Sequence, residues 1–125
     1  MTDKPVSLLA IVFDTPDAAR LARFYAELTG GEVTRVVPDH GLVQVTCGDI
    51  TLDFQDVEDY QAPQWPGQEH PQQLHLDFRV ADMQAAVAQA IALGATRVDP
   101  QPEGADFKVM LDPHGHPFCL CPPRD

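Results

Sequence analysis

The chain has 125 residues, 44% of them hydrophobic, which suits one packed domain or two small modules sharing a core. A formal net charge of -11 repels phosphate backbones and anionic lipid, and so argues against nucleic acid and membrane surfaces as partners. No apolar run nears the about 20 residues that cross a bilayer, and the opening Met1-Thr2-Asp3-Lys4-Pro5 lacks the basic-then-apolar pattern of a secretory leader, so a cytoplasmic protein is expected.

The first element is a short apolar run, 8–13, suited to a buried strand. Thr15-Pro16 reads as N-cap and first helical residue, with Asp17 near the positive end of the helix dipole. Leu21, Phe24, Tyr25 and Leu28 then fall on one helical face, and Gly30-Gly31 ends the helix. Three strands are expected over 33–37, 42–46 and 50–55, with turn formers between them. Residues 57–73, with Pro63, Pro66, Gly67 and Pro71, read as a linker loop. The one tryptophan, Trp65, lies there and either pins the loop to the body or lids a pocket.

The remainder repeats the order. A strand over 74–80 precedes Asp82, a good N-cap, and an apolar helical stripe of Met83, Val87, Ala90 and Ile91 that Gly94 stops. A short strand over 96–98, a Pro/Gly loop and a hairpin of 107–111 with 118–121 follow. Asp112-Pro113-His114-Gly115 supplies its type I turn. At one constant offset Leu9 falls on Leu74, Phe13 on Phe78, Asp17 on Asp82, Leu28 on Leu93 and Val33 on Val98. The expected fold is therefore α+β: two tandem βαβββ modules, 1–56 and 74–125, joined by 57–73. Their strands would form a half-open curved sheet with helices on the convex face.

Strand parity then sorts side chains. With Leu9, Ile11 and Phe13 toward the helix, Ala10 and Val12 line the cleft; with Leu74, Leu76 and Phe78 toward the helix, His75, Asp77 and Arg79 do. Titratable groups in a cleft are candidates for function, and His75 stands out in an otherwise apolar run. The plainer reading is that Asp77 and Arg79 pair or face solvent at a rim. The cysteines, Cys47, Cys119 and Cys121, are odd in number and are expected as free thiols. His114 and His116, either side of Gly115, invite a metal reading, but a hairpin-turn role is expected for them.

The run His75-Leu-Asp-Phe-Arg-Val-Ala-Asp82, the helix end Ala92-Leu-Gly-Ala95, and the stretch from Asp112-Pro-His-Gly-His to Leu120 resemble the vicinal oxygen chelate superfamily, in its glyoxalase-like, bleomycin-resistance-related branch. Trp65-Pro66 through His75 fits that branch as well. The resemblance spans nearly the whole chain. It implies a scaffold shared by isomerases, dioxygenases, thiol transferases and metal-free drug binders, often dimeric. Metal-bearing members usually carry ligands on the first and last strand of each module. Those positions match Ala10, Phe54, His75 and Cys119 here. Ala10 and Phe54 cannot coordinate, which leaves His75 and Cys119 as the only candidates at family ligand positions, with Asp77 the one carboxylate nearby.

The function this implies is binding of a small organic molecule in the cleft without the usual metal, as in drug sequestration or resistance. Val12, Phe54, Trp65, His75, Asp77, Phe107 and Cys119 are the expected ligand-binding residues. No cofactor is expected, since the ligand set does not support the divalent metal of such a scaffold. A homodimer is expected from the resemblance. The alternatives are a glyoxalase-type lyase or isomerase, which needs a Lewis-acid ion and a carboxylate base, and a metal-free enzyme with His75 as general acid or base.

Overall fold

The computed structural model describes residues 5–123. Residues 1–4, on which the reading of the leader largely rests, and 124–125 lie outside them. The chain divides into two compact units, Met1–Glu58 and Asp59–Asp125.

The first unit runs β1 (Ile11–Thr15), α1 (Ala18–Thr29), β2 (Glu32–Val37), a 3₁₀ turn (Pro38–His40), β3 (Leu42–Cys47) and β4 (Ile50–Asp56). The sheet order is β1-β4-β3-β2, with β1 and β4 parallel and the other pairs antiparallel. Parallel pairing of β1 with β4 requires a crossover, and α1 with β2 and β3 supplies it. The strand begins and ends later than the apolar run 8–13 does: Thr15 is its last residue, and the helix is capped instead by Asp17. The Asp17 carboxylate accepts the Arg20 N–H at 3.1 Å, and the Thr15 hydroxyl oxygen accepts the Asp17 N–H at 3.2 Å. A carboxylate two residues into the loop reaches the third helical amide, which Thr15 is too far back to do. A second carboxylate, Asp56 at the end of β4, accepts the Ala18 N–H at 2.6 Å and so ties the helix start to the sheet. Gly30, at φ 74, closes the helix as anticipated.

The core of this unit is aromatic. Phe54 stacks on Phe13 at 5.2 Å and on Tyr25 at 5.5 Å, and Tyr25 meets Phe24 edge-on at 4.9 Å. Leu21, Val43, Val45 and Leu52 complete it. Leu9, expected on the helix side, is instead exposed, because it precedes the strand and has no sheet to lie on.

The second unit runs β5 (Leu76–Arg79), α2 (Met83–Ala92), β6 (Thr96–Arg97), β7 (Lys108–Leu111) and β8 (Pro117–Cys121). Its sheet order, β5-β8-β7-β6, repeats the first, again with the first and last strands parallel. Asp82 caps α2 through the Ala85 N–H at 3.1 Å. Every residue of β8 is buried, which requires cover on both faces. Leu76, Phe78, Phe118 and Leu120 share one face, where Phe78 meets Phe118 at 5.9 Å. Asp77, Arg79, Cys119 and Cys121 share the other. Leu74 and Ile91, both expected inside, are exposed; Leu74 lies before β5, and Ala90 rather than Ile91 is the buried residue of α2.

The loop 59–73 belongs to the second unit and has internal structure. The Gln64 N–H donates to the His70 carbonyl at 2.6 Å, and Gln64 bridges Pro71. A second loop, 98–107, is held by one side chain. The Gln101 amide group donates to the carbonyls of Val98 (2.7 Å) and Val109 (2.8 Å), while its oxygen accepts the Val109 N–H (2.8 Å). The side chain thus stands in for a strand partner at the Val109 N–H, while the Val109 carbonyl also accepts the Val98 N–H at 3.2 Å.

The two sheets differ in one turn. In the first, Thr46 faces Thr51; in the second, Leu111 faces Pro117. The β7–β8 turn is therefore one residue longer than the β3–β4 turn. Alternation along a strand has a period of two, so one residue exchanges the faces relative to a constant offset. The offset that aligns Phe54 with Cys119 consequently fails. By register Asp53 is the counterpart of Cys119, and Phe54 of Leu120.

No helix among the described residues is long and apolar enough to cross a membrane.

Candidate functional site

His75, immediately before β5, and Asp77, within it, are two residues apart and so share a face. The parallel register sets Asp77 directly opposite Cys119 on β8. The outcome is a compact group: one ligand-type atom each from His75, Asp77 and Cys119, all within 4.8 Å of one another. Among the described residues it is the only such group of three or more. His75 Nε2 lies 3.3 Å from Asp77 Oδ1. The imidazole and the carboxylate are exposed, whereas Cys119 is buried.

The thiol is pushed from 9.0 up to about 12. Burial is the largest cause, because it penalises the thiolate; the charge of Asp77, the neighbouring Cys121 and a hydrogen bond to Asp77 add to it. Cys119 is therefore a neutral thiol at physiological pH, not an activated nucleophile.

An apolar wall adjoins this group. Trp65, Val98 and Phe107, each half-buried, pack against Val109, Cys119 and Cys121. Trp65 therefore anchors its loop to the same sheet face that carries the titratable residues. Five of the seven anticipated ligand-binding residues, Trp65, His75, Asp77, Phe107 and Cys119, belong to this one face and its cover.

The other two lie in the first unit, with opposite outcomes. Val12 points away from Phe13 and is exposed, as parity requires. Phe54 is not on that face at all: it is fully buried between Phe13 and Tyr25, because of the turn-length difference. Its neighbour Asp53 takes the place, paired in register with Val12 and Gln44. Asp53 is only 8% exposed, and its Oδ1 accepts the Gln44 amide at 3.0 Å. The Thr34 hydroxyl donates to Gln44 Oε1 at 3.3 Å and lies 2.9 Å from that of Thr46. This polar strip was hidden by the assumed register; comparing the two turn lengths would have exposed it.

His114 and His116 serve the turn. Both their backbone N–H groups donate to Asp112 Oδ1, at 2.9 and 3.0 Å, and the Tyr60 hydroxyl donates to the His114 carbonyl at 2.9 Å. The same Tyr60 oxygen lies 3.1 Å from His116 Nε2. Gly115, at φ 94, is the residue that permits this; a Cβ there would sit 2.7 Å from that of Ala62. None of the three cysteines forms a disulfide.

A glyoxalase-like domain family model matches residues 10–121, nearly the entire chain. The chain belongs to the glyoxalase-like domain family. No functionally curated protein matches it. Solved structures of the same fold include a glyoxalase/bleomycin resistance protein/dioxygenase family enzyme from Burkholderia phytofirmans, at 18% identity and TM-score 0.69, covering 90% of this chain and 95% of that one. The fosfomycin resistance protein FosX from Mesorhizobium loti matches at 16% identity and TM-score 0.69, over 97% of this chain and 92% of its own. FosX from Listeria monocytogenes matches at 13% and 0.72, over 97% and 96%. At such identities the likeness is one of fold.

The donor set tests what ion the second unit suits. One imidazole, one thiol and one carboxylate are the mixture that zinc accepts, with three protein ligands leaving a fourth position open. Magnesium or calcium needs an oxygen cage, and this group has a single carboxylate. The structure brings together the two residues at family ligand positions, His75 and Cys119, and the nearby carboxylate of Asp77 that the sequence had named beside them. A zinc-class ion there would supply Lewis acidity toward an oxygen in the open position.

Proposed function

We propose that this glyoxalase-like chain binds a small organic molecule on the sheet face of its second unit, in the manner of a sequestering protein, and is not a glyoxalase-type lyase or isomerase. The observation that carries the reading is the pairing of the Trp65/Phe107 wall with a polar group that has no disengaged base. Proton transfer beside a carbonyl asks for a carboxylate that is free to accept, whereas Asp77 is engaged by both His75 and Cys119. The wall supplies area for an aromatic or aliphatic body, and His75 and Asp77 supply polar contacts for its head. A homodimer is part of the proposal: Val6, Leu8 and Leu9, 80–84% exposed, are apolar side chains that self-association would cover.

Trp65, as the only tryptophan, reports on the site directly. A panel of small aromatic and heteroaromatic amines, alcohols and carboxylates would be screened by thermal shift and by Trp65 fluorescence. The expected result is a saturable ligand that raises the melting temperature, changes Trp65 emission and is recovered unchanged. Recovery of a converted compound would end the sequestering reading. If that conversion were lost in His75→Ala while binding persisted, the 3.3 Å His75–Asp77 contact would instead mark His75 as a metal-free acid or base oriented by Asp77.

A further inference from the structure

We propose that the sheet face of the first unit carries a binding site for an organic cation with N–H groups, an alkylammonium or a guanidinium, seated on the Asp53 carboxylate. Asp53 is only 8% exposed, and buried carboxylates are ordinarily paired with a cation. Among the described residues no lysine or arginine lies within ion-pair reach of it. Its one side-chain partner there is the neutral Gln44 amide, on Oδ1 at 3.0 Å. An ionised carboxylate has about four acceptor sites, so most of its capacity is left to a partner from outside. Gln72 Oε1 is the only sealed polar atom without a partner among the described residues, so Asp53 Oδ2 is not walled in.

The neighbours hold the carboxylate in place. The Thr34 hydroxyl gives its proton to Gln44 Oε1, so in the 2.9 Å contact between Thr34 and Thr46 the proton comes from Thr46. Gln44 in turn donates to Asp53, and turning its amide over would set oxygen against oxygen. All three bonds thus run toward Asp53, and the chain ends on a negative group. The register of β2 slips between Val33 and Arg35, which makes Thr34 the extra residue that reaches Gln44 and Thr46. Arg35 pairs in register with Gln44 from the side away from β4 and makes no ion pair with Asp53. Val12 lies directly opposite Asp53 on β1 and is 54% exposed, an apolar edge for the carbon part of the ligand. Asp14, two residues on from Val12 and on the same face, adds negative charge. One carboxylate beside an amide and two hydroxyls is a poor oxygen cage for a metal ion, whereas an N–H cation needs only the open acceptor.

The test titrates the full chain, at low ionic strength, with benzamidine and with n-butylamine. Calorimetry and the Gln44 side-chain amide signals in ¹⁵N–¹H spectra are the readouts. Both cations should saturate and move the Gln44 signals, and neutral benzamide should do neither. Tetramethylammonium, which has the charge but no N–H, should bind at least about tenfold more weakly. Asp53→Asn, whose oxygen can still accept from Gln44, should weaken both cations at least about tenfold. Asp49→Asn, which removes the same charge from the exposed turn before β4, should leave their affinity unchanged. Absence of saturation overturns the proposal. So does equal binding of tetramethylammonium, which would reduce the effect to the net charge of -11. A loss of affinity in Asp77→Asn with none in Asp53→Asn would put the cation on the second unit and overturn it as well. If Asp53→Asn does not fold, the Gln44 signals and the tetramethylammonium comparison decide the matter. None of these readouts depends on the small-molecule site of the second unit, so either reading can fail alone.

Discussion

Replacing Gln101 by Ala should cost far more than its partly exposed position suggests. The side chain makes three hydrogen bonds, all to backbone groups; one of them satisfies the N–H of Val109, and another reaches its carbonyl, which the Val98 N–H also reaches. Val109 lies in the buried cluster beneath Trp65 and Phe107. At about 1 kcal/mol net per bond, with more where a buried backbone group is left unmet, the loss is about 2–4 kcal/mol. That is a large share of the about 5–15 kcal/mol that holds a typical domain together. For a chain of this length it corresponds to a melting temperature lower by about 6–15 °C. Gln101→Glu sharpens the reasoning. A carboxylate can still accept the Val109 N–H, but it cannot donate, and it sets negative oxygen against the carbonyls of Val98 and Val109. It should be no more stable than the Ala variant. Urea unfolding at neutral pH measures both. An Ala variant within about 0.5 kcal/mol of the parent, or a Glu variant equal to it, would refute the claim that Gln101 stands in for a strand.

Other outcomes follow from the same structure. Gly115→Ala should destabilise the chain by about 1–3 kcal/mol in thermal melts, because φ 94 and the nearby Ala62 oppose any Cβ; an unchanged melt would show that the Tyr60–His114 latch is loose. In metal-free protein the Cys119 proton is held in the folded state above pH 9.0, where the unfolded thiol has begun to lose it. Stability relative to Cys119→Ser should therefore be constant below about pH 9 and fall as pH rises toward 12, which urea midpoints at about pH 8 and about pH 10 would read. Asp17→Ala should cost about 1 kcal/mol and Thr15→Ala less as a cap, since the carboxylate, not the hydroxyl, reaches the helical amide. Trp65→Ala should abolish the fluorescence response and weaken binding of any ligand found in the screen, while Phe54→Ala should lower stability by about 3–5 kcal/mol through its core stacking.

Much of this architecture was legible because local rules agreed with one another. Asp82, the apolar stripe Leu21–Phe24–Tyr25 and the turn residues around Gly41 and Gly115 each named an element boundary or a buried face. The face holding His75 and Asp77 followed from parity alone. What escaped the sequence depended on length and distance. The β8 register shifts by one residue in a turn that looks unremarkable in composition, and that exchanged Phe54 for Asp53. The approach of Asp77 to Cys119 is a contact between strands far apart in the chain, which no single-strand pattern encodes. Leu9 and Leu74 look like strand residues because they are apolar, yet each lies just before the strand begins.

The turn between β7 and β8 sets a limit on how this chain can be altered. Point changes at Asp77 or Cys119 exchange one functional group for another at a fixed place. Removing a single residue from 112–116 would do something different in kind: it would swing Phe118 and Leu120 onto the face now held by Cys119 and Cys121, and send both thiols into the hydrocarbon layer. The site should therefore be forgiving of chemistry and intolerant of arithmetic, so that libraries built to redirect its ligand need to vary side chains freely while leaving the length of that turn untouched.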